Sequence, residues 1–361
     1  MQTILVSAAL AIIGSLVGTR LAVTWFARLG FGQPIRVDGP TTHQIKRGTP
    51  TMGGIVVVLA TVVAYLIATF ATGARPSASG WLMLLLLVGC GVVGFLDDFI
   101  KVYTQDNRGL SARKKIVGQA AVALGFGVLA TLFFTDEHGV RPASRHLSTT
   151  RDWGWELPLL VVLLLIWFIV TATSNATNIL DGADGMLAGS AALVFGAYAV
   201  VNLWQFQQKC GSLRSGLVVD KCYAVRDPLD LAIFSATAAA ACLGFLWWNA
   251  KPARIIMGDV GSLALGGALA GVAIMSRTEL LMVVIAGVFV FDIMTVILQT
   301  SWFKLTRRLT GVGKRIFPIT PIHHHFEDRW GEAALVIRFW IIAGSCVMAG
   351  LALFYADWLA R

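Results

Sequence analysis

The feature that most constrains this chain is a series of ten apolar segments, each close to the length needed to cross a bilayer. A membrane-spanning helix needs about 20 mostly apolar residues. The segments lie at residues 3–27, 53–73, 80–100, 115–135, 157–174, 185–205, 228–250, 261–276, 279–302 and 333–357. Backbone exposed to lipid must satisfy its own hydrogen bonds, and no alternating ten-residue strands appear. We therefore predict an all-α, polytopic integral membrane helix bundle, 1–361 forming a single domain. The short gap between the eighth and ninth segments predicts a tight helix pair or a broken helix.

The composition excludes an ordinary soluble protein. Hydrophobic residues make up 57% and charged residues 14%, against roughly half and a quarter in soluble domains. The net charge of +9 would suggest a nucleic-acid partner in a soluble chain. Here most cations lie in connecting loops, so membrane lipids and phosphate substrates explain them better, and we expect no nucleic-acid partner.

The distribution of Lys and Arg predicts the orientation of the chain. Loops that follow odd-numbered segments carry more of these cations than the loops that follow even-numbered segments. By the positive-inside rule the odd-numbered loops lie in the cytoplasm, which places both termini on the extracytoplasmic side.

Two polar clusters border the second and third segments. Lys46 and Thr51 precede a glycine pair and could hold a phosphate, or they could form a turn with interfacial cations. Asp97 and Asp98 close the third segment, and adjacent carboxylates at a membrane surface need a compensating charge. Lys101 is four residues after Asp97 and can share its helix face. The alternative for this pair is a solvated helix end.

Two further clusters combine amides and carboxylates in cytoplasmic loops. Asn175, Asn178 and Asp181 occupy a segment with no cation, which suits a hard metal ion or a nucleotide, although a structural turn is the alternative. Asn249 and Asp259 flank the next loop. Magnesium usually takes only one or two protein carboxylates, so a lone carboxylate such as Asp259 fits it.

The last cytoplasmic loop contains three consecutive histidines, His323, His324 and His325. Consecutive side chains cannot all face one way, so three-histidine zinc coordination is not expected. Binding phosphate or ordering an acidic cluster is the better interpretation. Asp292, inside the ninth segment, is either functional or a packing residue bonded to Lys or Ser.

Cys210 and Cys222 lie in one polar loop on the predicted extracytoplasmic side. Disulfides persist in that compartment, so we expect a bond between them, with two free thiols as the alternative.

In this order, the clusters resemble the phospho-N-acetylmuramoyl-pentapeptide transferase family. The motifs that carry the resemblance are Pro50-Thr-Met-Gly-Gly54, Asp97-Asp98, Met257-Gly-Asp-Val-Gly-Ser-Leu-Ala-Leu-Gly-Gly267 and Pro321-Ile-His-His-His-Phe-Glu327. The resemblance implies a ten-helix, homodimeric enzyme of the bacterial inner membrane, with its active site facing the cytoplasm. It implies a Mg²⁺-dependent reaction of UDP-N-acetylmuramoyl-pentapeptide with undecaprenyl phosphate, which yields UMP and lipid I.

The resemblance also implies roles for individual residues. Asp97, Asp98, Asp259 and His323 would be catalytic, Asp97 by positioning or deprotonating the lipid phosphate. Asp259 and Asp181 would bind the metal. Residues expected to bind substrate phosphates or the nucleotide are Lys46, Thr51, Lys101, Lys115, Asn175, Asn178, Asp181, Asn249, His324 and His325.

Two other functions fit parts of the sequence. An anion transporter would explain Asp292 and the short eighth segment, but no inverted repeat is visible. A sister transferase using UDP-N-acetylglucosamine would share most motifs, and the three histidines argue against it.

The sequence departs from the family pattern at two positions. Leu180 stands where Thr is common, and Ile256 replaces an aromatic residue that stacks on the nucleobase.

Ile256→Phe is therefore expected to tighten the binding of a uridine nucleotide by about 1–3 kcal/mol, because aromatic stacking on a base contributes that much. Calorimetric titration with a uridine nucleotide measures the change. An unchanged dissociation constant would place the base away from residue 256.

Overall fold

The computed structural model describes residues 1–29, 48–105, 109–210 and 221–360, and within these ranges the chain is a bundle of helices. Ten of the described helices are long and apolar enough to cross a membrane. The predicted multi-pass, all-α fold is confirmed. The helices are α1 Gln2–Leu29, α2 Gly54–Ala71, α3 Ala78–Thr104, α4 Ala112–Val128, α5 Leu159–Leu180, α6 Met186–Gln207, α7 Pro228–Asn249, α8 Gly258–Met275, α9 Glu279–Ile285, α10 Gly287–Thr310, α11 Ile322–Trp330 and α12 Glu332–Ala360.

The eighth and ninth predicted segments form a broken arrangement, as expected from their short separation. A turn after α8 leads into the short α9, and a single residue separates α9 from α10. Two helix boundaries and the structure of one segment differ from the sequence prediction in ways that affect the site. Helix α5 continues to Leu180 instead of 174, α8 begins at Gly258 instead of 261, and the histidine-rich segment is the helix α11 instead of a loop.

Helix α8 is the centre of the bundle. Every residue from Val260 to Met275 is buried, and the helix packs against α3 and α5. Its sequence is rich in Gly and Ala, which let neighbouring helix backbones approach closely where lipid supplies no hydrophobic driving force. The first turn of α8 therefore lies at the meeting point of several spans.

Both chain termini lie at the same end of the bundle. The hydroxyl groups of Thr3 and Thr72 lie 3.0 Å apart, and Thr150 donates a hydrogen bond to Asp357 at 2.8 Å. A two-stranded antiparallel hairpin, β1 His146–Ser148 and β2 Asp152–Glu156, belongs to this end. Which side of the membrane this end faces stays a prediction of the charge distribution.

The predicted bond between Cys210 and Cys222 is present. Arg151, in the turn of the β1–β2 hairpin, donates hydrogen bonds to the carbonyl oxygens of Lys221 and Cys222, and its guanidinium lies 4.0 Å from the ring centre of Tyr223. The disulfide and the residues that follow it therefore pack against the hairpin at the end that carries the termini.

Intact, non-reduced cells are expected to show no labelling of Cys210 or Cys222 by a membrane-impermeant maleimide, and strong labelling after an impermeant reductant. A Cys210→Ser, Cys222→Ser double variant is the background control. Labelling of intact cells without reductant would exclude the bond but keep the loop outside. Labelling that needs permeabilisation but no reductant would invert the topology.

Candidate active site

Three carboxylates from two helices meet at the end of the bundle opposite the termini. Asp97 and Asp98 lie on α3, and Asp259 lies in the first turn of α8 instead of the preceding loop. One oxygen from each lies within 4.8 Å of the others. Asp97 and Asp98 are buried, at 1% and 4% exposure. A buried cluster of three carboxylates needs either a cation or several hydrogen-bond donors close to its oxygens.

Two lysines supply most of the compensating charge. Lys101 Nζ lies 2.5 Å from Asp97 Oδ2, 3.1 Å from Asp259 Oδ2 and 3.5 Å from Asp98 Oδ1. Lys115, on α4, places its Nζ 2.5 Å from Asp259 Oδ2 and 3.5 Å from Asp97 Oδ2. The predicted sharing of one helix face by Asp97 and Lys101 is confirmed. With all five groups ionised, the cluster keeps one net negative charge.

Backbone donors fix the two aspartates of α3. The N–H of Leu110 donates to Asp97 Oδ1 at 2.8 Å, and the N–H of Val260 donates to Asp98 Oδ2 at 3.1 Å. The second bond comes from the first turn of α8, where free N–H groups point toward the helix end and favour anions. Asp98 therefore links α3 directly to the start of α8, and the adjacent aspartates have different partners, as their helical spacing implies.

Asn178 orients Asp259. Its Nδ2 donates to Asp259 Oδ1 at 2.7 Å and to Ser262 Oγ at 2.9 Å. Ser262 in turn donates to the carbonyl oxygen of Gly258 at 3.0 Å. The sequence places Asn178 in a loop, but it lies on the last turns of α5 because that helix extends to Leu180.

The other residues predicted to bind nucleotide or metal have local partners. Asp181 Oδ2 accepts the N–H of Gly258 at 3.1 Å, and Asp181 is not part of the three-carboxylate group. Asn249 accepts the N–H of Gly185 at 3.1 Å and donates to the Ile255 carbonyl at 2.9 Å.

Asn175 lies on α5 instead of a loop and faces α4. Its Nδ2 donates to the Thr171 carbonyl at 2.7 Å and to Gln119 Oε1 at 3.3 Å. It therefore joins two spans, and its predicted contact with the nucleotide stays a prediction.

The loop before α2 pairs with the loop before α8. Ile256 donates its N–H to the Pro50 carbonyl at 2.8 Å and accepts the N–H of Gly53 at 2.9 Å. Thr51 is buried next to Gly258, where an added Cβ would lie 3.1 Å from Thr51 Oγ1 and 2.6 Å from Asp98 Oδ2. Gly258 also has a φ of 74°, a backbone conformation that favours glycine. Both this conformation and the close contacts of an added Cβ therefore require glycine at this position. Lys46 lies outside the described residues.

The three histidines of α11 have different surroundings. His323 is fully buried, and its Nδ1 lies 2.7 Å from Asp292 Oδ2. Asp292 is therefore paired with a histidine, instead of the Lys or Ser that the packing alternative named. His324 Nδ1 lies 3.1 Å from Glu327 Oε2, and His325 is half-buried against Phe326. The prediction that the three rings face different ways is confirmed.

His323 lies directly under the loop that follows α5. A Cβ built on Gly182 would fall 2.4 Å from His323 Nε2, so the ring touches the backbone beside Asp181. Nε2 itself has no hydrogen-bond partner among the described residues. The histidine motif is thereby connected to the carboxylate cluster through the Asp181 loop.

Glu332 is a site residue that sequence reasoning missed. It is buried at the start of α12, accepts the N–H of Asp184 at 2.8 Å and pairs with Lys251. The acidic first turn of α12 was the only signal that could have indicated it, and such residues are common at helix starts.

Ten candidate membrane spans with a carboxylate–lysine cluster at one end fit a membrane-embedded transferase, and the comparisons with known proteins point to the same class. Residues 80–277 match the family model described as Glycosyl transferase family 4, and residues 46–58 match signature 1 of the phospho-N-acetylmuramoyl-pentapeptide-transferases.

Relatives with the name phospho-N-acetylmuramoyl-pentapeptide-transferase cover this chain from end to end. The protein from a Nocardioides species is 56% identical, with 100% of both chains aligned. Those from Frankia alni and Cutibacterium acnes are 51% and 50% identical, each aligning 100% of this chain and 99% of the relative. The chain belongs to the phospho-N-acetylmuramoyl-pentapeptide-transferase family.

Gly94→Ala is expected to destabilise the protein, because a Cβ at Gly94 would lie 2.1 Å from the backbone oxygen of Asp259 and force α3 away from α8. Overpacking of this kind costs about 1–3 kcal/mol. Thermal unfolding in detergent measures the loss. Gly125→Ala, also on a span but with nothing within 4 Å of the added Cβ, is the matched control. Equal unfolding temperatures for the two variants would mean that the α3–α8 contact is not tight.

Proposed function

We propose that this protein transfers phospho-N-acetylmuramoyl-pentapeptide from UDP-N-acetylmuramoyl-pentapeptide to undecaprenyl phosphate. The products are UMP and lipid I, a step of peptidoglycan biosynthesis. The relatives' name supports the transferred group. The observation that carries the chemistry is the cluster of Asp97, Asp98 and Asp259 with Lys101 and Lys115 at the end of three packed spans.

This cluster suits a reaction between two polyanions at a membrane surface. A phosphate monoester has a second pKa of about 6, so the acceptor is largely ionised at neutral pH and needs no strong base. The main obstacle is charge repulsion in a low-dielectric setting. Lys101 and Lys115 would hold the phosphates, while Asp97 would position the acceptor. Phosphoryl transfer depends mostly on such positioning and charge compensation.

The same residues fit a magnesium ion. Carboxylate oxygens are the ligands that Mg²⁺ prefers, and one or two usually suffice. Asp259 would be the main ligand, with Asp97 or Asp98 beside it. When bound, Mg²⁺ supplies positive charge next to the donor's diphosphate. Asp181, the other predicted ligand, is the weaker candidate because its Oδ2 already accepts the Gly258 N–H.

The location of the site follows from the two substrates. The acceptor is a lipid and the donor is a water-soluble nucleotide, so the site must open to both membrane and water. We propose that the carboxylate end faces the cytoplasm of a bacterial inner membrane, in agreement with the excess of Lys and Arg in its loops. A homodimer is proposed on the family resemblance alone.

Asp259→Asn is expected to lower UMP release by about 100-fold or more, since electrostatic groups aimed at the reacting phosphates contribute that much. The assay contains purified protein, undecaprenyl phosphate, Mg²⁺ and UDP-N-acetylmuramoyl-pentapeptide. Asp328→Asn, an exposed carboxylate on α11, is the matched control, and unfolding temperature checks that the variant is folded. Near-native turnover by Asp259→Asn would remove the metal assignment. UMP release from UDP-N-acetylglucosamine instead would favour the sister transferase.

A further inference from the structure

An open surface pocket lies at the end of α10, next to the segment that leads into α11. It has a volume of about 420 Å³ and lies between α10 and the segment 315–320 that leads into α11. Its lining includes Phe303, Lys304, Arg315, Ile319 and Thr320. We call it the α10 pocket. None of the roles proposed above uses it.

The backbone that forms one wall of the α10 pocket is held firmly against the helix. Gln299 Oε1 accepts the N–H groups of Ile316 and Phe317 at 2.9 and 3.1 Å, and its Nε2 donates to the Phe317 carbonyl at 3.1 Å. Thr306 Oγ1 accepts the N–H of Lys314 at 2.8 Å. Gln299 and Thr306 are both buried. The backbone on both sides of Arg315 is therefore held against α10.

The pocket is strongly cationic. Within the described part of the chain, Lys304 and Arg315 have neither an ion-pair partner nor a side-chain hydrogen bond. The sequence from Phe303 to Phe326 contains no Asp or Glu. Its Lys and Arg residues are Lys304, Arg307, Arg308, Lys314 and Arg315. Two unpaired cations in a pocket that also contains Phe303 and Ile319 are suited to an anionic group on a ligand with apolar parts.

The pocket lies close to His323. Gln299 follows Asp292 by seven residues on α10, which is about 10 Å along the helix axis. Asp292 holds His323, and Thr320 of the pocket wall comes three residues before that histidine. A pentapeptide in extended form spans about 17 Å. A peptide that starts from a sugar near His323 can therefore end in the α10 pocket.

We propose that the α10 pocket binds the free carboxylate end of the donor's pentapeptide. This inference rests on the proposed function. In a muramoyl-pentapeptide the first amino group is acylated, so the peptide has no ammonium group at its start and ends in a free carboxylate. Lys304 and Arg315 pair with that charge, and Phe303 and Ile319 contact its aliphatic side chains. The pocket thereby selects donors that carry a complete peptide.

Lys304→Gln and Arg315→Gln test this proposal with two donors, UDP-N-acetylmuramoyl-pentapeptide and UDP-N-acetylmuramate without peptide. Each variant is expected to raise KM and the calorimetric Kd for the pentapeptide donor by about tenfold, as for the loss of one charged hydrogen bond. Values of kcat should change little, and Kd for the peptide-free donor should stay as in the unsubstituted protein. Lys314→Gln, which removes a neighbouring charge outside the pocket, is the matched control and should leave both donors unaffected.

Three results would overturn the proposal. They are an equal loss of affinity for both donors, an equal effect of Lys314→Gln, and a loss that appears only in vesicles containing anionic phospholipid. The last would assign the pocket to a lipid headgroup. Unsubstituted protein that binds and turns over neither donor would instead refute the proposed function itself.

Discussion

The contact between α3 and the first turn of α8 is the constraint on which the rest of the site depends. Three carboxylates are brought within a few ångströms of one another at the end of a membrane bundle, where unpaired charge is costly. The contact is possible because Gly94 leaves no side chain between the helices and because Gly258 starts α8 with a left-handed residue. Lys101 and Lys115, with the N–H groups of Leu110 and Val260, offset the repulsion. A site arranged in this way is already charged and oriented before a substrate arrives.

The loops around the carboxylates are joined mainly by side chains bonded to backbone. Asn249 ties Gly185 to Ile255, Asp181 holds the N–H of Gly258, and Glu332 joins Asp184 to Lys251. Each link connects a different pair of spans. Because buried polar groups lose free energy when one partner is removed, the loops keep their arrangement without a compact soluble domain around them. Asn249, Asp181 and Glu332 therefore hold the loops around the site in place.

The Asp292–His323 pair is a further buried polar contact, and it lies inside the bundle. A buried carboxylate inside a span suggested an ion pathway, but its partner is a histidine 31 residues further along the chain. The carboxylate fixes the ring through Nδ1 and leaves Nε2 against the loop beside Asp181. The hydrogen bond at one ring nitrogen of a histidine determines whether the other nitrogen carries a proton. The pair therefore connects the histidine motif with the carboxylate cluster, and it gives no support to a transport pathway.

Length and hydropathy alone determined the ten spans, because the thickness of the bilayer and the need to satisfy backbone hydrogen bonds leave one solution for such segments. The motifs also identified Asp97, Asp98, Lys101 and Asp259, since charged residues at membrane depth demand an explanation. Only the tertiary structure decided which residues meet. The helix ends differ from the predicted ones by a few residues, so Asn178 and Asp259 lie on helices instead of in loops. The partners of Asp292 and Asn178 are far away in sequence. Hydropathy carries no information on such contacts, because they depend on how the helices pack and rotate about their axes.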